Sequence, residues 1–419
     1  MVNVLVWGSS KEGPCAFFRG HMFDEPLKAL GVNMRHISQA HFLTTGVMPA
    51  VGPTPTNLRQ LLDAGVIKAD PKDFDWADVI MFRRYYNTGI RCSQPHELCA
   101  FVTHNIDEAL AHQHVCQRQD DITRILWPDF RDKWTKGMMY ETDDNHLTIK
   151  PWNGYYAEVQ LEQDLISEMA RRADIVTVAT PPLAKAYGQF NDNIRVIRNA
   201  IKPGMYRGTK GVVRDHAKPR LLYYGATVRL RDYLGYPDDR GKWQGGQAGA
   251  AVRAFHNELR SVFIGTNPGT EPIMAPHFQE QYPYVENIAK FCQVLVDSQP
   301  DIGVAPLHSD DNFDLAKSEL HWLEYSMAGS ATIGQRFMGG GPYSPIKSGV
   351  DGILARGEQE WRDAVKLLVR NKDAREQMAG AAKERVLAEY DYRKRAQEWA
   401  DVFNWAAEHP NYQGKASVS

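Results

Sequence analysis

Short apolar runs, each followed by a helical pattern or a loop, recur along this chain in two successive series. The first series has runs at residues 2–7, 32–38, 77–82, 137–141, 174–179 and 194–197. The second series has runs at 220–224, 261–265, 302–307 and 352–355. Strands that alternate with helices favour parallel sheets that are covered by helices on both faces. The pattern therefore predicts two doubly wound α/β sheets.

A stretch without hydrophobic periodicity separates the two series. Residues 198–203 (RNAIKP) lead out of the first series, and residues 203–219 contain glycine, proline and charged residues. Such a stretch is typical of an interdomain connection. We therefore expect a first domain at 1–200, a second domain at 201–392 and a flexible tail at 409–419. A length of 419 residues suits two domains.

Composition argues against several classes of protein. The formal net charge of −2 gives no bulk attraction to nucleic acid or anionic membranes, although a local basic patch remains open. The five cysteines form no CxxC pair, which argues against a zinc site or a disulfide framework. No apolar run approaches the roughly 20 residues of a membrane-spanning helix, and no signal-peptide pattern precedes the first strand. These features predict a cytoplasmic protein without membrane insertion.

Residues 301–333 form the most informative stretch of the second series. They are interpreted as a strand, a polar loop, a helix at 315–327 that ends at Gly329, and the start of another strand. The core stripe of that helix places Glu324 and Lys317 within roughly 60° of its apolar residues. A carboxylate and an ammonium group near the interior, at a helix start after a strand, favour a ligand site. The alternative is an ion pair that only stabilises the helix.

Charged pairs also follow two strands of the first series. Arg83 and Arg84 follow the strand at 77–82, where they either hold an anionic ligand or form surface salt bridges. Asp143 and Asp144 follow the strand at 137–141. Repulsion raises the pKa of one of two adjacent carboxyl groups unless a cation, a donor or a hydroxyl group is shared. Function and ordinary turn chemistry are equally favoured for this aspartate pair.

Longer stretches resemble retaining glycosyltransferases of the GT-B type. Residues 173–203 resemble the end of the N-terminal domain in those enzymes, and DIGVAPL, FDLAKSELHWLEYSMAG and GVDGIL resemble their donor-binding core. More narrowly, YYGATVRLRDY, the Lys317–Ser318 pair and YETDD are similar to a bacterial and phage subgroup related to family 4. The spacing of Gly13, Arg19 and Pro26 fits the same subgroup. The resemblance covers nearly the whole chain.

The resemblance implies an α/β protein of GT-B fold, with two doubly wound Rossmann-like domains facing across a cleft. It also implies that a C-terminal helix at 393–408 packs back on the first domain. The implied activity is transfer of a hexosyl or pentosyl group from a nucleotide sugar, a UDP- or GDP-sugar, to an acceptor hydroxyl with retention. The implied setting is the cytoplasm of a bacterium or of a phage-infected host.

Roles for donor-side residues follow from the same resemblance. Glu324 corresponds to the second glutamate of the family's E-x7-E motif, which binds the ribose hydroxyls. The first glutamate would fall at Ala316 and is therefore absent. The pyrophosphate would be held by Lys317, Ser318 and the helix N-terminus, and Gly13 and Leu320 are assigned to the donor-binding site as well. Arg229 or Arg231 fits the family's basic pair on the leaving diphosphate, with Arg229 and Lys317 acting in catalysis.

The resemblance assigns acceptor-side roles to Arg19, Arg83 and Arg84. It assigns catalytic roles to Asp143 and Asp144, and one of these two aspartates would orient or deprotonate the acceptor hydroxyl. No obligatory metal is expected, although the aspartates leave Mg²⁺ or Mn²⁺ open. The acceptor is a glycan, a phage or bacterial protein, or a hydroxymethylated DNA base. Two other functions stay open, namely an inactive GT-B-like nucleotide-sugar-binding protein and a sugar-nucleotide epimerase.

Overall fold

The computed structural model describes residues 1–7, 14–37, 71–83, 134–150, 156–209, 217–226, 229–237, 243–244, 246–267, 271–308 and 311–412. Gly13, Arg84 and residues 413–419 of the predicted tail lie outside this set. Contacts divide the chain into two compact units. The first unit contains residues 1–11, 23–197 and 396–419, and the second contains 12–22 and 198–395.

The strands are numbered along the chain. They are β1 Val2–Trp7, β2 Val32–Ile37, β3 Val79–Arg83, β4 Gly137–Thr142, β5 Ile175–Val178, β6 Ile194–Val196, β7 Arg220–Tyr224, β8 Tyr236–Pro237, β9 Trp243–Gln244, β10 Arg260–Thr266, β11 Glu280–Pro283, β12 Ile302–Ala305, β13 Ala331–Gln335 and β14 Ile353–Ala355.

The helices are numbered in the same way. They are α1 Pro14–Arg19, α2 Asp24–Ala29, α3 Pro71–Trp76, α4 Tyr156–Arg172, α5 Pro181–Tyr187, α6 Leu230–Leu234, α7 Gln247–Ala254, α8 Glu271–Met274, α9 Ile288–Asp297, α10 Asn312–Leu315, α11 Leu320–Ala328, α12 Gly357–Arg370, α13 Lys372–Glu389 and α14 Tyr392–Glu408.

The first unit is built on a parallel six-stranded sheet with the order β2-β1-β3-β4-β5-β6. All residues of β3, β4 and β5 are buried, as expected of a parallel sheet that is covered on both faces. Helix α14 belongs to this unit, where the ring of Trp399 lies 6.0 Å from that of Phe23. The backbone of Ala406 approaches Gly137 so closely that a side chain at residue 137 would clash with it.

The second unit has its own parallel six-stranded sheet, with the order β11-β10-β7-β12-β13-β14. With the strands counted along the chain within this sheet alone, this is the 3-2-1-4-5-6 order of dinucleotide-binding Rossmann domains. The order reverses between β7 and β12, so that their carboxyl ends flank a crevice where ligands bind in such sheets. Residues that follow these two strands are therefore the first candidates for a binding site. The two-stranded pair β8–β9 is antiparallel.

Two predictions for the second unit are wrong in detail. The single helix expected at 315–327 is divided into α10 and α11 by a turn at residues 316–319, although Gly329 ends α11 in the left-handed conformation as predicted. Helix α9 begins at Ile288, where the side chain of Asn287 caps its N-terminus. The edge strand β11 was missed, because its polar residues and terminal proline do not form an apolar run.

Within the described residues, no helix combines the length and hydropathy needed to span a membrane.

Candidate active site

Helix α11 places the carboxyl group of Glu324 inside the second unit. Seven consecutive residues of this helix, 322–328, are buried, and Glu324 itself is 3% exposed. The hydroxyl of Tyr206 donates to Oε1 at 3.5 Å, and the hydroxyl of Tyr224 at the end of β7 donates to Oε2. Burial raises the pKa of Glu324 to about 8, while hydrogen bonds from the two tyrosines act to lower it. A carboxyl group in this setting is suited to bind neutral hydroxyl groups.

Arg229 lies between two buried carboxylates at the same edge of the sheet. Its Nε is 3.0 Å from Asp232, and its Nη2 is 3.1 Å from Asp314. The Asp232 and Asp314 side chains are 2% and 0% exposed, while the Arg229 side chain keeps 20% exposure. Burial acts to lower the pKa of Arg229, but the two carboxylates outweigh it and raise the pKa above its usual value. Arg229 therefore carries a fixed positive charge with part of its side chain reaching solvent.

His308 completes this polar cluster from the loop after β12. Its Nε2 lies 2.9 Å from Asp232, and its backbone N–H donates to Asp314 at 3.0 Å. Burial raises the pKa of Asp232, and Arg229 opposes that shift. The potential metal-ligand atoms of Asp232, His308 and Asp314 lie within 4.8 Å of one another. The guanidinium of Arg229 already contacts both carboxylates and supplies a positive charge between them.

The turn between α10 and α11 contains the predicted Lys317–Ser318 pair. The Nζ of Lys317 lies 4.3 Å from the ring centre of Phe313. Ser318 accepts a hydrogen bond of 2.7 Å from Asn199. The next residue, Glu319, is 1% exposed and pairs with Arg198 at 3.1 Å. The contacts of Ser318 and Glu319 attach the turn to Asn199 and Arg198 of the same unit.

Four other positions of the predicted site differ in their surroundings. Ala316 is buried at 1% exposure, so its methyl group is part of the core. Leu320 is the first residue of α11 and is partly exposed. Arg231 lies on α6 and is partly buried. Arg19, which we predicted on the acceptor side, groups with the second unit and donates to Asn199 at 3.4 Å.

Arg83, the second predicted acceptor-side arginine that the structure describes, is buried at the end of β3. Its Nε lies 3.2 Å from Glu141 on the adjacent strand, and the two side chains are 2% and 0% exposed. Arg83 therefore forms the salt bridge of the second alternative, but its expected place at the surface is wrong, because strand pairing places both residues inside the first unit. Arg84 lies outside the described residues.

The predicted aspartate pair lies in the turn after β4. Asp143 and Asp144 are both partly buried, and the hydroxyl of Thr142 donates to the backbone oxygen of Asp144 at 3.0 Å. Burial, and to a lesser extent both aspartates, raise the pKa of the nearby Tyr187. The ligand atoms of the pair do not form a three-residue metal group with other described residues.

Sequence reasoning missed five residues of this site in the second unit, namely Tyr206, Tyr224, Asp232, His308 and Asp314. A weak signal existed for two of them. Asp232 follows Arg229 by three residues, and Asp314 follows His308 within one polar loop. No signal linked the tyrosines to Glu324, because each is more than 90 residues away in the chain.

Comparison with protein-family models gives a match over the part of the chain that contains Glu324. Residues 307–401, which contain α11 and Glu324, match a family model described as glycosyl transferase-like. Comparison with curated protein sequences gives no match.

Solved structures of similar fold cover nearly the whole chain. Sucrose-phosphate synthase from Thermosynechococcus elongatus has a TM-score of 0.59 at 11% identity, over 97% of this chain and 99% of that chain. HepE from Anabaena, solved with UDP and glucose, has a TM-score of 0.56 at 11% identity, over 97% and 100%. A glycosyltransferase from Rickettsia africae gives 0.56 at 11% identity, over 97% and 99%.

These similarities confirm the predicted GT-B fold of two doubly wound sheets. The matched glycosyl transferase-like segment at 307–401 confirms the predicted glycosyltransferase class of enzyme. The narrower predictions of a retaining family 4 subgroup and of a phage origin stay predictions.

Proposed function

We propose that this protein transfers a hexosyl or pentosyl group from a nucleotide sugar to an acceptor hydroxyl, with retention of the anomeric configuration. The observation that carries the proposal is the presence of a buried carboxyl group, Glu324, and of a fixed cation, Arg229, beside the switch point of a Rossmann-type sheet. Ligands bind at that point in open α/β sheets. A nucleotide sugar needs both groups, because it presents ribose hydroxyls and a diphosphate.

On the donor side, Glu324 accepts hydrogen bonds from the ribose hydroxyls. The diphosphate is bound by Lys317, Ser318 and the start of α11 at Leu320, with Gly13 contributing from the first loop. The solved HepE complex with UDP-glucose supports a UDP-sugar, and a GDP-sugar is the second candidate. Because Ala316 replaces the family's sugar-contacting carboxylate, the identity of the sugar depends on other groups.

During the reaction, negative charge develops on the leaving diphosphate. Arg229, Arg231 and Lys317 stabilise that charge, since cations placed where charge develops lower the barrier. We propose that no divalent metal is obligatory, with Mg²⁺ or Mn²⁺ at Asp143 and Asp144 as the alternative. Transfer that persists in EDTA supports the cation-only mechanism, and transfer that requires added Mn²⁺ contradicts it.

On the acceptor side, one of Asp143 and Asp144 orients the acceptor hydroxyl or takes its proton. Arg19 and Arg84 contribute to binding of the acceptor. The acceptor is a glycan, a phage or bacterial protein, or a hydroxymethylated DNA base. The buried Arg83–Glu141 pair gives no support to a basic DNA-binding surface at β3. If DNA is the acceptor, binding weakens steeply with added salt, and a flat salt response excludes it. We place the reaction in the cytoplasm of a bacterium or of a phage-infected host.

A thermal-shift panel of UDP- and GDP-sugars tests the donor site. At least one donor is expected to stabilise the protein, by about 2.7 kcal/mol at a concentration of 100 times its dissociation constant. Glu324→Ala should remove most of that shift, whereas the exposed control Glu376→Ala should keep it. If no nucleotide sugar binds, the proposed function is wrong. If Glu324→Ala keeps the full shift, the ribose assignment is wrong.

Product analysis separates the transferase from its two alternatives. The buried methyl group at Ala316 is the observation that favours an inactive binding protein, since a carboxylate is expected at that position. Such a protein binds the donor without turnover, and an epimerase releases nucleotide and free sugar without any acceptor. A transferase gives an acceptor-linked sugar, and its anomeric proton in NMR shows whether configuration is retained.

A further inference from the structure

The carboxyl group of Glu324 is enclosed by hydroxyl and thiol groups. The phenol groups of Tyr206 and Tyr224 contact one oxygen each, and the thiol of Cys292 on α9 lies beside Tyr206 and Glu324. Glu324 takes part in no ion pair in the described part of the chain. Its two hydrogen-bond donors are neutral groups, which is unusual for a carboxyl group at 3% exposure.

Among the described residues, burial and the two tyrosine hydrogen bonds act on the pKa of Glu324, and no cation from the elements packed on α11 is paired with it. From α11 itself comes His321, whose pKa is lowered to about 3 by burial and then by Arg229 and Lys317, so the ring is neutral. Helix α13 contributes Arg385, which lies 5.2 Å from the ring centre of Trp322 and pairs with Asp351. Strand β7 contributes Tyr224, and α9 contributes Cys292 and Phe291.

Both tyrosines are themselves held in place. The ring of Tyr224 lies 5.1 Å from Phe291, 4.4 Å from His321 and 5.1 Å from Tyr325. Tyr206 follows the turn Pro203–Met205, and its backbone N–H donates to Pro203 at 3.2 Å. Burial, followed by the nearby Glu324, raises the pKa of both phenol groups well above the usual value. Each tyrosine therefore remains a protonated donor across the pH range of an assay.

Each carboxylate oxygen has two lone pairs. A tyrosine on each oxygen therefore leaves one acceptor position per oxygen, which matches the two neighbouring hydroxyls of a ribose. We propose that Tyr206 and Tyr224 are positioning residues that orient the Glu324 carboxylate for the donor ribose and favour its ionised form. This inference rests on the proposed function, because it concerns the same donor site.

A proton linkage follows from the proposal. Without a ligand, burial raises the pKa of Glu324 to about 8, so the carboxyl group is largely protonated at neutral pH. Ribose hydroxyls donate to the ionised form, so donor binding should release a proton. The affinity should then rise with pH, by up to about tenfold per pH unit, and level off above about pH 8.

The test measures binding of UDP-glucose and GDP-mannose by calorimetry between about pH 6 and pH 8.5, a range that includes the Glu324 pKa of about 8. In wild-type protein at about pH 7, two buffers of different ionisation enthalpy should report close to one proton released per donor bound. Tyr206→Phe and Tyr224→Phe keep the ring but remove the donor. Each should move the midpoint of the pH profile upward, by about half a unit to one unit.

Tyr233→Phe is the matched control in the same unit. Tyr233 is also a buried tyrosine, its ring stacks on Tyr223 at 5.0 Å, and its hydroxyl has no hydrogen-bond partner among the described residues. This variant should leave the midpoint unchanged.

Two outcomes overturn this inference but leave the proposed function intact. One is donor binding without proton release in the wild type, and the other is an equal loss of affinity at every pH in Tyr206→Phe and Tyr224→Phe. The first of these needs no variant, so poor folding of a variant does not remove the test. If neither probe binds the wild type, the proposed function fails and this inference fails with it.

Discussion

Buried charged groups at the carboxyl edges of the two sheets differ in how they are compensated. In the first unit, Arg83 meets one carboxylate, Glu141, and the two charges compensate each other. In the second unit, Arg229 lies between Asp232 and Asp314, while Glu324 contacts only neutral donors. A compensated pair stabilises a strand end and needs no ligand. Uncompensated buried groups carry a cost in stability, and such groups are concentrated at functional sites.

The largest expected effect is in the Arg229 cluster. Arg229→Ala should lower the free energy of unfolding by about 3–5 kcal/mol, because it leaves two buried carboxylates without their cation. Urea unfolding measures the loss. Arg231→Ala on the same helix is the control and should cost less, since Arg231 is only partly buried. Equal losses in both variants would mean that the buried cluster does not depend on Arg229.

The next effect is the pH dependence that Glu324 adds to stability. Burial raises its folded-state pKa from 4.5 to about 8, so the unfolded chain loses this proton at lower pH than the folded protein. The stabilisation that protonated Glu324 contributes is fully present below the pKa that this group has in the unfolded chain. It is lost as pH rises to about 8. Between about pH 5 and pH 8, wild-type stability should therefore fall by about 3–4 kcal/mol relative to Glu324→Gln.

Thermal unfolding of both proteins across this pH range measures that difference. Asn371→Ala removes no ionisable group and serves as the control, because its stability should follow the wild type with pH. A constant difference between wild type and Glu324→Gln would show that Glu324 is ionised in the folded protein throughout.

A slightly smaller effect is expected in the first unit. Arg83→Ala should lower the free energy of unfolding by about 3 kcal/mol, because one buried carboxylate, Glu141, loses its cation. The double variant Arg83→Ala/Glu141→Gln should recover part of that loss. Donor binding, measured by the thermal shift with UDP-glucose, should be retained. Loss of donor binding in Arg83→Ala would break the contrast between the two edges.

The smallest effects on stability are expected at two helix caps, one in each unit. Thr180 accepts from the backbone N–H of Leu183 at 3.4 Å, and Asn371 accepts from that of Ala374 at 3.0 Å. Thr180→Ala and Asn371→Ala should each cost about 1 kcal/mol in the free energy of unfolding. Neither cap lies among the proposed donor residues, so the donor affinity should not change in either variant.

Much of the fold could be predicted because its signals are local. Runs such as VNVLVW and RLLYY are buried strands in the structure, and Gly329 ends α11 in the left-handed conformation. The signals failed where an element is short or polar, as at β11, or where a capped turn interrupts a helical pattern, as at residues 316–319.

The candidate site was predictable only in part. Glu324 and Arg229 could be singled out by their positions after strands and by resemblance, but their partners could not. A sequence shows that Arg229 is near Asp232, yet the contact with Asp314 joins residues 85 positions apart. Likewise, the resemblance assigned Arg229 or Arg231 to the leaving diphosphate, whereas the two ion-pair partners of Arg229 became visible only in the structure.

The sequence by itself determined the alternation of strands and helices and the polar residues at the strand ends, because both depend on hydrophobic periodicity and turn chemistry within short segments. The tertiary structure alone decided how each buried charge is compensated. That depends on which strands become neighbours and which side chains meet across long chain separations. The contacts of Tyr206 and Tyr224 with Glu324 link residues 118 and 100 positions apart. Tyr224 makes its contact from the end of β7, which the sheet order places beside β12.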